Sequence, residues 1–146
     1  MTTLDPAQAV QTGLWELLRN DSQLMQNVRN VLDEVPELTS ANYPVIVVPE
    51  VSSVPDGTHD DPGRMITATI HTYTKGDVRD RNIRPENVIG ARIIALLDHG
   101  HKNLDPFVAG HRVWMIRHEQ SRKVPDGDRS VRHRVDRVSI WTSNTE

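Results

Sequence analysis

The sequence predicts an α+β fold: a single domain over residues 1–146, with a mostly antiparallel β-sheet, two main helices packed on it and long hairpin loops. Two-residue apolar periods mark strands near residues 65–74, 111–119 and 130–142. Apolar stripes of helical period near residues 6–19 and 86–98 supply the covering layer. Turn formers crowd into residues 52–63 and 120–128, where the hairpin connections are expected.

Asp5-Pro6-Ala7-Gln8 reads as a helix start, with Asp5 as N-cap, Pro6 at the first helical position and Gln8 reaching back. Val10, Leu14, Leu17 and Leu18 share one stripe with Trp15 beside it, and Asn20-Asp21 ends the helix. Asp21-Ser22 suits the cap of a further short turn through Met25. Residues 28–36 fit a short strand or a helical turn equally well. Val45-Ile46-Val47-Val48, bounded by Pro44 and Pro49, is a strand whose unbroken apolar run implies burial on both faces. Residues 52–63 then read as a long loop, of a length that is usually functional or disordered.

The rest of the chain packs around residues 65–100. Ile66, Ala68 and Ile70 alternate with Thr67, Thr69 and His71, as in a half-buried strand. After a charged loop, Pro85 and Glu86 suit a helix N-terminus, and Gly100 suits a left-handed stop. Ile89, Ile93, Leu96 and Leu97 form the face expected on the sheet. Val88, Ala91, Ile94 and Ala95 lie on the opposite side. A helix apolar nearly all round needs two partners, so this second side is a candidate subunit interface.

Beyond a polar connector, Val113 and Met115 alternate with Trp114 and Ile116 in a strand. Its partner changes apolar phase: Val131 and Val135 share one parity, Val138 and Ile140 the other. A β-bulge near Asp136-Arg137 is expected from that slip. V-P-D-G occurs at residues 54–57 and 124–127, and reads as two similar turns rather than a repeat.

With 36% hydrophobic and 25% charged residues, the composition is that of a soluble globular domain. No apolar run approaches the ~20 residues of a spanning helix, so no membrane partner is expected. The N-terminus lacks a secretory leader pattern, which points to a protein made and used in a cytoplasm. The absence of cysteine excludes disulfides, zinc–thiolate sites and cysteine nucleophiles. Charge is unevenly spread: residues 1–63 carry 2 basic against 10 acidic side chains, residues 64–110 carry 7 against 5, and residues 111–146 carry 8 against 5. Opposed charged edges suit head-to-tail association of copies; the alternative is charges that interleave on a solvated surface.

Seven histidines invite a search for chemistry. His99 and His101 flank a glycine near a helix end, without the spacing of helical zinc motifs, and histidine is favoured there by the helix dipole alone. His71 and His118 sit in strands, and His111 and His133 in basic surroundings. No Ser-His-Asp ordering, G-x-S-x-G, phosphate-binding glycine loop or paired-carboxylate motif appears, so no catalytic residues, metal or cofactor are assigned. Arg129, Arg132, Arg134 and Arg137 form a candidate basic surface in the last strand. It lacks the aromatic platform of a single-strand-binding groove, and a solvated face pairing with Asp136 is the simpler reading.

The order of elements resembles the tail-terminator, or tail-completion, proteins of tailed bacteriophages. The resemblance is carried by A-V-Q-T-G-L-W-E-L-L-R-N-D-S-Q-L, V-L-D-E-V-P, Y-P-V-I-V-V-P-E, I-T-A-T-I-H-T-Y-T, E-N-V-I-G-A-R-I-I-A-L-L-D and the two closing strands. It implies a non-enzymatic virion protein at the tail-head junction, assembled in the host cytoplasm. It implies a ring, usually a hexamer, that stops tail-tube polymerisation and contacts the major tail tube protein and the head connector, while double-stranded DNA only passes through the lumen. Ser53, Asp56, His59, Asp60, Asp61, Lys123 and Asp126 are then the candidate loop contacts to tube or connector. A head-side neck protein and a small histidine-using enzyme are the alternative readings.

Overall fold

Among the residues that the computed structural model describes (5–34, 43–57, 63–75, 85–124 and 131–144), four helices and six strands follow one another. They are α1 (Ala7–Asn20), α2 (Ser22–Met25), β1 (Asn30–Leu32), β2 (Val45–Val47), β3 (Val51–Pro55) and β4 (Gly63–Lys75). Then come α3 (Pro85–Leu97), α4 (His101–Leu104), a 3₁₀ turn (Asp105–Phe107), β5 (His111–Val124) and β6 (Val131–Asn144). The sheet runs β1-β2-β4-β6-β5, with β3 also paired to β4. Every pair is antiparallel except β1–β2, so the expected α+β architecture is present.

The long pairing of β4 with β6 is the spine. It runs unbroken from Gly63↔Ser143 to Lys75↔Val131. On the other side of β4, β2 takes the Tyr73 end and β3 the Ala68–Arg64 stretch. One sheet face carries Ile66, Ala68 and Ile70 of β4, Val138 and Ile140 of β6, and Val113 and Ile116 of β5. Val10, Leu14 and Leu18 of α1 and Ile89, Ile93 and Leu97 of α3 cover it, all at or near zero exposure. The opposite face holds a smaller cluster of Tyr43, Val45, Val47, Tyr73 and Val131. Since Ile46 belongs to the main core and Val45 and Val47 to the smaller one, β2 is buried on both faces as its composition implies.

Those two clusters explain the change of phase in β6. The strand has no bulge against β4; Val131 serves one face and Val138 and Ile140 the other, because different stretches of each face are covered. The irregularities lie in β5 instead. Pairing steps from Val113↔Thr142 to Met115↔Trp141 and from His118↔Val138 to Gln120↔Arg137, which leaves Trp114 and Glu119 as the extra residues. The expected bulge at Asp136-Arg137 is therefore corrected to its partner strand.

Both expected long loops are shorter than their composition suggests. β3 occupies Val51–Pro55, where Ser53 Oγ accepts a 2.7 Å bond from Arg64 Nε, and Asp56 N donates to Gly63 O at 2.9 Å. β5 continues to Val124, which makes Lys123 a strand residue. Turn-forming residues inside these strands gain ladder bonds that composition cannot anticipate. Residues 28–36, open between two readings, hold β1, which is parallel to β2.

The helix ends show how local chemistry is satisfied. Asp5 Oδ1 accepts from Ala7 N at 3.1 Å, while Pro6 O receives the first helical bond from Val10 N. Gln8 does not reach back; its amide donates to Thr12 Oγ1. At the end of α3 the left-handed residue is His99 (φ 57), not Gly100 (φ −97), which instead caps α4. Gly100 is needed for space, since a Cβ there would collide with Leu96 O. Arg19 and Gln11 of α1 donate to Val31 O and to Val48 O and Pro49 O, which ties α1 to the β1–β2 side of the sheet.

Arg92, the one charge midway along α3, pairs bidentately with Asp21, both bonds at 2.8 Å, while Asp21 also caps α2 through Leu24 N at 2.9 Å. The Arg92 guanidinium first, and the Leu24 amide after it, hold the Asp21 carboxyl below its ordinary value against the opposing effect of burial. A depressed carboxylate pKa gives stability that is present above the unfolded value and lost as pH falls through the folded one. Asp21→Asn keeps a competent cap and is expected to cost ~1 kcal/mol at neutral pH, with little cost left at acid pH. Asp21→Ala removes the cap as well, for a further ~1 kcal/mol. Urea denaturation at both pH values separates the two losses. Leu97→Ala, deep under α3, is expected to cost ~2–5 kcal/mol in the same assay.

Candidate functional site

Three features stand out once the sheet is covered. The first is the outer side of α3. Val88, at 43% exposure, Ala91 and Ala95 are exposed, and Ile94 is half-buried. These are the residues expected to form a subunit interface, and the sheet leaves them as an apolar stripe facing away from the core. The far side of the sheet adds Trp114, 48% exposed, tilted against Trp141 with ring centroids 6.4 Å apart.

The second is a polar network where β5, β6 and α3 meet. Asp136 is fully buried in the register of the core residues Val138 and Ile140. Its Oδ2 accepts from Arg134 Nε at 3.0 Å, and its Oδ1 accepts from Arg134 Nη2 at 3.1 Å and from Ser121 Oγ at 2.5 Å, with His118 Nε2 at 3.0 Å. Arg134 also donates to Ser121 Oγ at 2.9 Å and to Asn87 Oδ1 at 3.3 Å. Gly90 makes room for it, because a Cβ at that position would collide with the guanidinium.

Serine, histidine and aspartate thus meet in space although no such ordering shows in the sequence. The geometry is not that of a nucleophile relay. A single ring nitrogen, His118 Nε2, faces both Ser121 Oγ (2.9 Å) and Asp136, and the serine proton goes to the carboxylate. In a relay the imidazole bridges with two different nitrogens. The arrangement satisfies a buried carboxylate.

The expected basic surface is redistributed by this network. Arg134 and Arg132 have side chains only 12% and 10% exposed, the second with its Nη1 4.0 Å from the buried Glu86 carboxylate. Their parity puts them on the helix-covered face, so they are internal counter-ions rather than surface charges. Arg137 is exposed, and Arg129 lies outside the described residues. Of the candidate loop contacts, Ser53 is a half-buried strand residue, Asp56 and Lys123 are exposed, and His59, Asp60, Asp61 and Asp126 lie outside the described residues.

The third feature is an aromatic stack on the far face. His71 Nδ1 and His133 Nε2 are 2.8 Å apart, and Tyr73 stacks on His133 at 4.2 Å between centroids. Burial, and then the Arg122 charge, hold the His71 imidazole below its ordinary value. His99, by contrast, projects outward, and among the described residues no three metal-capable side chains converge.

The family described as tail completion protein gp17 matches residues 12–143. The chain belongs to that family. Membership makes it a structural protein of a bacteriophage tail, a virion component that works among other tail and head proteins. Among solved structures, a chain from a particle described as "Virion of native gene transfer agent (GTA) particle" superposes with a TM-score of 0.73. The likeness covers 92% of this chain and 94% of that one at 16% identity, and it shows a shared fold. No curated protein matches the sequence. A structural role in the tail completion family accords with a Ser-His-Asp cluster built to hold a buried acid.

A lowered imidazole pKa means the folded state binds fewer protons than the unfolded chain. The stability tied to His71 is therefore complete above the unfolded value, near pH 6.5, and is lost as pH falls through the folded one. The melting temperature is expected to drop from pH 7.5 to pH 5, and to drop less in His71→Asn. Equal drops in the two proteins would assign the acid sensitivity elsewhere.

Proposed function

We propose that this tail completion protein forms a ring, of six copies, that caps the tail tube, ends its polymerisation and joins it to the head connector. The observation that carries this reading is the two-sided helix α3. Ile89, Ile93 and Leu97 are consumed by the core, and the apolar residues Val88, Ala91, Ile94 and Ala95 remain on the outside. An apolar helix face of that kind is the usual core of a subunit contact. A ring uses a heterologous contact, in which one patch meets a different patch on the next copy. The unlike charges of the first and last thirds of the chain support that arrangement. The tube protein and the connector are the partners at the ring's two ends, with double-stranded DNA passing through the lumen. Residues 52–63 and 120–128, with Asp56, His59, Asp60, Asp61, Lys123 and Asp126 among them, are proposed to contact them.

Electron microscopy of the purified protein tests the ring directly, and one substitution tests the contact. Ile94 is half-buried within its own chain, so Val88 is the cleaner probe. Val88→Asp is expected to change folding stability by no more than ~0.5 kcal/mol. It is expected to weaken each subunit contact by ~2–4 kcal/mol, the penalty of an unpaired charge in a desolvated patch. Sedimentation reads the second effect and a thermal melt the first. A variant that forms rings at wild-type concentrations would remove α3 from the interface.

A further inference from the structure

Beside the buried Asp136 network the surface opens into a cleft of about 190 Å³, lined by Asn87, Ser121, Arg122, Lys123 and Arg134. Its floor is built rather than incidental. Arg134 is fixed by four hydrogen bonds to Asp136, Ser121 and Asn87, and Gly90 keeps the space it occupies. Asp136 neutralises Arg134, but no described residue neutralises the rim. Arg122 and Lys123 are exposed and make no ion pair with any described residue; Lys123 stands directly opposite Arg134 in the β5–β6 register, while Arg122, opposite Val135, also acts on His71 of the far face. Like charges facing each other across strands destabilise a sheet. Among the described residues the cleft therefore holds a positive surplus with no anion to match it.

The complementary group lies at the other end of the strand order. β1 and β5 are the two ends of the sheet path. Asp33 and Glu34, immediately after β1, are exposed and likewise make no ion pair with any described residue. Asn87 of the cleft immediately precedes Val88 of the apolar stripe on α3, so the cleft and the stripe meet on the same helix. A groove for a nucleic-acid strand would track along the backbone and carry aromatic stacking platforms. This site is an open cleft, and no aromatic side chain lines it among the described residues.

We infer that the cleft formed by Asn87, Ser121, Arg122, Lys123 and Arg134 receives the carboxylates of Asp33 and Glu34 from the next copy of the chain, setting the polarity of association. The inference rests on the ring reading and names the charge contact within it. Carboxylates entering such a cleft form charge-assisted hydrogen bonds and lose water as the apolar stripe closes beside them.

Two charge-reversed proteins test it. The first carries Arg122→Glu and Lys123→Glu, so both edges are acidic; the second carries Asp33→Lys and Glu34→Lys, so both are basic. All four residues are exposed, and each variant is expected to melt within a few degrees of the wild type. Each alone is expected to lose self-association by at least tenfold in sedimentation, and an equimolar mixture to regain it as alternating copies. Wild-type rings with reversals that assemble unchanged, or a mixture that fails to recover, would overturn the cleft while leaving the ring. Absence of association in the wild type and in the mixture would overturn both. Variants that assemble normally yet lose retention on immobilised duplex DNA would assign the cleft to nucleic acid and overturn the contact between copies.

Discussion

The meeting of β5, β6 and α3 around Arg134 is arranged to hold the buried carboxylate of Asp136. Asp136 has no exposed surface, and a carboxylate taken out of water costs several kcal/mol unless it is paired and hydrogen-bonded. Arg134 lies two residues away on the same strand face, and Ser121 and His118 reach it only because β5 carries an extra residue at Glu119. Gly90 then gives the guanidinium its place against the helix. Register, bulge and helix contact are therefore set by one requirement, and a slip of β5 by one residue would strand the acid.

The fold was legible wherever a single period governed an element. α1, β2, β4 and α3 follow from stripes and alternations that survive packing unchanged. Three features did not follow. β3 is spelled in residues that favour turns, and it is a strand because β4 offers it a ladder. β1 is three residues long, too short for any period to show. The phase change in β6 was visible, but its cause was not, since a bulge and a switch of covered face leave the same pattern in one strand. Only the partner strands separate them.

Legibility of the surface features divides along the same line. The outer stripe of α3 could be read from helical geometry, because local periodicity decides which residues share a helix face. The Asp136 network could not, because it joins residues 87, 118, 121, 134 and 136 through a register that contains two bulges. A signal was present: Asp136 and Arg134 share parity with Val138 and Ile140, so an acid and a base were already assigned to the covered face. Reading the arginines as a solvated surface overlooked that parity.

β5 also bears on how copies of the chain behave before they assemble. It is a fourteen-residue strand at the rim of the sheet, paired on one side only among the described residues. A long open rim of this kind is a template onto which another molecule's strand can zip without limit. Arg112, Arg117, Arg122 and Lys123 repel an identical strand, and the bulges at Trp114 and Glu119 break the flat run of donors and acceptors. Backbone-to-backbone growth is discouraged, and side chains are left to decide who binds whom. Copies of the chain can then be present together without zipping into fibres, free to meet a partner whose shape they match.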